Sequence, residues 1–185
     1  MKKISVIVGS LRKGSFNRKM AKALMALAPD SLSLEIIEIG KIPFYNQDLE
    51  DNPPQAWTEF REHLKEFDGV LFVTPEYNRS VPSVIKNALD VGSRPYAKNM
   101  WEGKPAGIVS VSIGAIGGFG ANHHLRQALV CLDMPTMQQP EAYIGNAESL
   151  FDENGELASA SVKQFATKYM LAFAAWVELT APYKK

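Results

Sequence analysis

KISVIVGSLRKGSFN, residues 3–17, is the stretch that decides the fold. Residues 3–8 are rich in β-branched side chains and carry apolar groups on both faces, the pattern of a strand buried in a parallel sheet. Gly9 closes that strand, and a polar loop follows. Residues 18–28 then bring Met20, Ala21, Leu24, Met25 and Leu27 round at helical spacing until Pro29 ends the run. Strand, polar turn and helix in that order open a βαβ unit.

The same alternation continues along the chain. Residues 32–39 read as a second strand through Leu34, Ile36 and Ile39, and residues 41–54 are irregular with three prolines. A helix is expected over 55–67, with Trp57, Phe60, Leu64 and Phe67 on one face, before Asp68-Gly69 stops it. Residues 70–73 form the third strand, 75–80 a loop, and Pro82 stands where a helix running through Ile85 and Leu89 to Val91 would begin. An excursion over 92–104 leads to a fourth strand at 106–112, a glycine-rich turn at 114–120 and a helix over 121–132. A short fifth strand is expected at 136–138, a polar loop over 140–155 and a closing helix over 158–179. No repeat or linker divides the chain, so residues 1–185 are read as one domain. Strands alternating with helices at this spacing imply right-handed crossovers and a five-stranded parallel sheet with helices on both faces. The expected class is α/β, a flavodoxin-like three-layer sandwich of strand order 2-1-3-4-5, which binds ligands beyond the carboxyl ends of strands one, three and four.

Composition narrows the function classes. Of 185 residues 46% are hydrophobic and 22% charged, and 20 basic side chains balance 20 acidic ones. A neutral chain lacks the basic surface that nucleic-acid affinity rests on, and its weak colloidal repulsion is compatible with self-association. The apolar run 4–8 is too short for a signal-peptide core and is followed at once by Arg12, Lys13 and Arg18. No run reaches the roughly 20 apolar residues of a membrane span. Cys131 is the sole cysteine, which fits a reducing cytoplasm.

Three loops at the expected strand ends carry the chemistry. The first, residues 9–17, sets the hydroxyls of Ser10 and Ser15, the amide of Asn17 and the guanidinium of Arg12 at a helix start, where unpaired N–H groups favour a phosphate dianion. It matches neither the Walker pattern nor GxGxxG, and Ser15 or Asn17 as a plain helix cap is the competing explanation. The second, Thr74-Pro75-Glu76-Tyr77-Asn78-Arg79-Ser80-Val81-Pro82, offers a rigid turn, a flat ring at Tyr77 and a donor and acceptor at Asn78, which suit a flavin ring. A simple turn with a packed tyrosine is the alternative. The third, residues 112–120, places four glycines after the fourth strand, either for close backbone approach to a ligand or as a flexible connection.

These motifs together resemble the NAD(P)H-dependent FMN reductase family, and within it the bacterial quinone and chromate reductases. The likeness is carried by Gly9-Ser10-Leu11-Arg12 with Ser15-Phe16-Asn17, Thr74-Pro75-Glu76-Tyr77-Asn78 with Ser80-Val81-Pro82, Lys86-Asn87-Ala88 with Asp90, and Ile116-Gly117-Gly118. His124-Leu125-Arg126-Gln127 and Pro140-Glu141 also fit. The resemblance implies that Ser10, Arg12, Ser15, Phe16 and Asn17 hold the phosphate of FMN. Pro75, Glu76, Tyr77 and Asn78 would line the isoalloxazine, with Ser112, Gly114, Gly117 and Gly118 closing the site. It further implies alternating use of the flavin by NADPH or NADH and a small acceptor such as a quinone, chromate, an azo compound or free flavin. Arg79 and Ser80 would lie on the substrate side, with Arg79 a departure from the family pattern. The resemblance implies a homodimer or homotetramer, and an ion pair between Arg126 and Glu141 across an interface is one expectation. A flavodoxin-like electron carrier is the alternative; its usual acidic docking surface is missing from this neutral chain.

Other residues are read as structural. His123 and His124, with His63 distant, lack a metal-ligand spacing, so no metal is expected. Cys131, Met134, Met137, Phe173 and Trp176 are read as core packing.

Overall fold

In the computed structural model, which describes residues 1–181, the opening stretch forms β1 (Lys2–Val8) and α1 (Phe16–Ala26). Then come β2 (Leu32–Ile37), α2 (Gln55–Leu64), β3 (Gly69–Thr74), α3 (Ser83–Gly92), β4 (Ala106–Val111), α4 (Phe119–Cys131), β5 (Ala142–Ile144) and α5 (Ala160–Thr180). All sheet pairings are parallel, in the order β2-β1-β3-β4-β5, which is the flavodoxin-like arrangement expected from the sequence.

The alternating side chains of the strands feed two cores. Ile4, Val6, Val8, Leu71, Val73, Val109 and Val111 face α1 and α5, meeting Met20, Leu24, Tyr169, Met170 and Phe173. Ile7, Val70, Phe72 and Ile108 face the opposite layer of α2, α3 and α4, meeting Trp57, Phe60, Leu64, Ile85, Leu89, Leu125 and Leu129. The excursion before β4 is anchored by Trp101, which is fully buried and donates its indole N–H to the Leu89 carbonyl at 3.0 Å.

Two expectations are corrected. The fifth strand is Ala142–Ile144, not 136–138. Thr136 makes only an isolated bridge to Ala106, and the chain leaves the sheet before it pairs again with Val109, Ser110 and Val111. Pro140 stands in that gap, and having no N–H it cannot donate to a ladder. Cys131 is exposed rather than core. The buried stripe of α4 runs through Ala121, Leu125 and Leu129, and a position two residues beyond Leu129 falls on the far side of the helix. Met134, Met137 and Phe173 are buried, and Trp176 is partly so, with its N–H on the Pro135 carbonyl at 2.8 Å.

The register aligns the strand ends that matter. Val8 pairs with Val73 and Thr74 with Ser110, so the loops after β1, β3 and β4 leave one edge of the sheet side by side.

Candidate functional site

Between those loops lies a cleft of about 250 Å³. One wall is Ser10, Arg12, Phe16 and Asn17 from the first loop and α1; the other is Pro75, Glu76 and Tyr77. Val111, Ser112 and Ile113 form its floor. The three turns predicted to converge therefore do so.

The first loop is built around the start of α1. Ser15 is the N-cap, its hydroxyl accepting from the Arg18 amide at 3.2 Å, so the capping explanation holds for this residue. Arg12 curls back to the Gly14 carbonyl at 3.1 Å, and its guanidinium sits 5.2 Å from the centre of the Phe16 ring. Asn17 is buried and donates to the Val111 carbonyl at 3.3 Å, which ties α1 to the end of β4. Its other side-chain atom, Oδ1, is a buried acceptor with no hydrogen-bond partner among the described residues. Buried acceptors without partners are rare and costly, so a donor group of a ligand lying in the cleft is what Asn17 fits. Gly9 packs closely here: a Cβ would meet Ile85 Cδ1 at 2.6 Å and Pro75 Cδ at 3.1 Å, so loops one and two touch at this point.

The second loop is a tight hairpin turn. Tyr77 and Ser80 exchange two backbone hydrogen bonds, both of 3.0 Å, while Asn78 and Arg79 take left-handed φ values of 49° and 65°. Tyr77 stands half exposed at the mouth of the cleft. Arg79 points largely to solvent and pairs with Glu76 at 3.2 Å. Ser80 meets His124 Nδ1 at 2.9 Å.

The third loop behaves differently from its sequence reading. Gly117 and Gly118 have φ of 66° and 77°, and a Cβ on Gly117 would lie 2.5 Å from the Tyr143 carbonyl carbon. Gly118 is the N-cap of α4. Gly117 serves a close approach to β5 and Gly118 one to Ser110 of β4, and together with Gly114, Ser15, Asn78, Arg79 and Ser80 they lie outside the residues lining the cleft. Ser112 alone of that turn's expected residues lines it, its hydroxyl accepting from the Gly114 amide at 3.2 Å. Val111 and Ile113 line the cleft without having been singled out; an apolar residue at a strand end carries no distinguishing signal.

Further out, His123 Nε2 lies 2.9 Å from the Tyr143 hydroxyl, with Phe119 packed on both rings. The Tyr143 phenol is pushed up to about 12 by burial, reinforced by a hydrogen bond to Glu141 and that carboxylate's charge. Arg126 donates to Asn122 Oδ1 at 3.1 Å and to the Met137 carbonyl at 2.9 Å. Asn87 proves to be a staple for the irregular segment after β2, accepting from the Tyr45 amide and donating to the Ile42 and Pro43 carbonyls. A larger cleft, of about 350 Å³, lies along α1 beside Lys13, Lys19 and Lys22. It lacks the flat aromatic wall and buried amide of the smaller cleft, which is therefore the better site for a phosphorylated ring. Among the described residues no group of histidine, cysteine and carboxylate side chains could hold a metal ion, and no helix is long and apolar enough to cross a membrane.

Known proteins resemble this chain over nearly its whole length. A quinone reductase of Pseudomonas putida is 60% identical over 177 residues, 95% of each chain. A 2-hydroxy-1,4-benzoquinone reductase of a Burkholderia species is 46% identical over 175 residues, 95% of this chain and 96% of that one. Among solved structures, FerB, a flavoenzyme NAD(P)H:(acceptor) oxidoreductase of Paracoccus denitrificans, superposes with a TM-score of 0.90 at 38% identity, covering 97% of this chain and 99% of that one. The profile described as NADPH-dependent FMN reductase matches residues 2–149, and with the shared sheet order and the convergent loops it follows that the chain belongs to that family.

Proposed function

We propose that this chain binds FMN in the cleft between β1, β3 and β4 and works as an NAD(P)H-dependent quinone reductase. The observation that carries the reading is the convergence of Ser10, Arg12, Phe16 and Asn17 with Pro75, Glu76, Tyr77 and Ser112 around one cleft, with the buried Oδ1 of Asn17 left for a ligand donor. Bound FMN would supply a ring that takes hydride from NADPH or NADH and passes the electron pair to an acceptor, which becomes a quinol on taking up protons from solvent.

The protein's part is position and exclusion. The amino end of α1, capped by Ser15 and flanked by Ser10, Arg12, Phe16 and Asn17, would hold the phosphate. Pro75, Glu76 and Tyr77, on the turn formed by Asn78, would lie along the ring, and Ser112 would close the site on a turn shaped by Gly114, Gly117 and Gly118. No side chain is needed as nucleophile or base, so donor and acceptor use one open face in turn. Tyr77 and Ile113 line the cleft and are both exposed, an apolar surface that suits a flat uncharged quinone. Arg79 and Ser80 stand on the substrate side, and reduction of chromate is a secondary activity of the same open face. The whole chain, 1–185, acts as one domain in the cytoplasm, as a homodimer or homotetramer. Arg126 and Glu141 are the residues proposed to pair between subunits; loss of oligomer mass in Arg126→Ala or Glu141→Ala tests that pairing.

The test of function is a visible spectrum. Purified protein should carry, or take up, a yellow flavin that bleaches within seconds on anaerobic addition of NADPH or NADH and recovers with benzoquinone. Protein that neither carries nor binds FMN overturns the reading.

A further inference from the structure

Glu76 lies in the wall of the cleft, yet its carboxylate is turned away toward α4. Oε2 accepts the Ala121 amide at 3.1 Å, and Oε1 receives Arg79 Nη1 at 3.2 Å. The side chain is only 12% exposed, against 75% for Arg79. Helix α4 starts at Gly118, which has no side chain to cap it. Ala121 is the third residue of the helix, and its N–H is the one an N-cap serine or aspartate would normally receive. Glu76 thus caps α4 from a different loop, and its charge suits the positive end of that helix. One turn further along, His124 holds Ser80 of the same hairpin at 2.9 Å. Gly120 leaves room for this joint: a Cβ there would meet Glu76 Oε2 and the Arg79 carbonyl oxygen, each at 2.9 Å.

We propose that Glu76 is a positioning residue whose carboxylate couples the hairpin after β3 to the first turn of α4 and so fixes the wall against which the flavin ring lies. With both oxygens engaged it is a joint between two loops, and it takes no part in proton transfer. The proposal rests on the FMN reading given above.

Apoproteins of the wild type, Glu76→Ala and Glu76→Gln are titrated with FMN at a temperature where all are folded, and the visible circular dichroism of the bound flavin is recorded. Loss of a charge-assisted hydrogen bond that holds a binding wall should raise the FMN Kd roughly tenfold in Glu76→Ala and change the visible dichroism. Glu76→Gln keeps an acceptor for the Ala121 amide but loses the charge. It should bind within about threefold of wild type with a near-native dichroism band. A residue that merely stabilises the fold would lower the melting temperature and leave both readouts unchanged. Wild-type affinity and dichroism in Glu76→Ala overturn the proposal. If that variant fails to fold, an affinity loss in Glu76→Gln as large as tenfold, or an altered dichroism, does so instead, because shape alone should nearly suffice there. A wild-type apoprotein that binds no FMN overturns the site reading itself, a result distinct from either.

Discussion

The turn after β1 and the turn after β4 look alike on paper, both small, polar or glycine-rich, and both at carboxyl ends of strands that flank β3. In the folded chain they use their special residues in opposite ways. The first keeps a polar atom in reserve: Ser10 and Asn17 are buried in the cleft wall, and the Oδ1 of Asn17 has no partner among the described residues. The second consumes its glycines internally, with Gly117 pressed on the backbone of β5 and Gly118 opening α4. The glycine-rich turn here is thus a statement about backbone shape, whereas an unpaired buried acceptor in a cleft wall leaves a place for a ligand's donor.

Substitutions should separate the two turns. The largest effect is expected for Gly117→Val, which places a β-branched side chain at a left-handed φ of 66° and a Cβ 2.5 Å from the Tyr143 carbonyl carbon. A strained φ costs about 1–3 kcal/mol and overpacking a further 1–3 kcal/mol or so, which together lower the melting temperature by roughly 5–20 °C. That loss should appear in the apoprotein by thermal unfolding; an apoprotein melting within about 2 °C of wild type would show that β5 yields to the turn. Ser15→Ala should fall between the turns' extremes, losing about 1 kcal/mol of apoprotein stability with the cap and FMN affinity besides. Asn17→Ala should raise the FMN Kd about tenfold, the equivalent of about 1.4 kcal/mol. Its hydrogen bond to Val111 is long at 3.3 Å, so apoprotein stability should move less than affinity does. The opposite ranking by calorimetry and titration would break the distinction between the two turns.

Much of this was legible in the sequence because the deciding signals are local. Each long strand is an apolar run closed by a polar or glycine turn, and the amphipathic helices between them fix the parallel order. The first loop was only partly legible, since Ser and Asn at a helix start serve equally as caps, and Ser15 is one. The fifth strand was not legible, because Ala142-Tyr143-Ile144 is too short to show a period and follows a proline that argues against a ladder. The exposure of Cys131 was in principle readable, as counting from Leu125 and Leu129 puts it off the buried stripe; apolar neighbours in sequence are not neighbours on a helix face. The joint from Glu76 to Ala121 spans 45 positions and joins a carboxylate to a backbone amide, a contact that leaves no trace in residue type.

The smallest effect concerns the floor on which the glycine turn rests. The hydroxyl of Tyr143 in β5 is pushed up to about 12 by burial and by Glu141, above the phenol's ordinary value near 10 in an unfolded chain. A group that holds its proton more tightly when folded favours folding while both states are protonated, below about pH 10. It withdraws that contribution as pH climbs toward its folded value, because the unfolded chain is then the one that has shed the proton. Stability should therefore decline between about pH 10 and 12, and Tyr143→Phe should make the decline shallower. The change in slope should stay under the one-proton limit of about 1.4 kcal/mol per pH unit, since Tyr143 is only partly buried and solvent screens it. Tyr169, fully buried with its hydroxyl on the Ile108 carbonyl, is also shifted upward by burial and would leave a residual slope in the variant. Denaturant titrations at pH 9, 10 and 11 read the difference; parallel curves for the wild type and Tyr143→Phe would mean that the phenol gains nothing from its seat between Glu141 and His123.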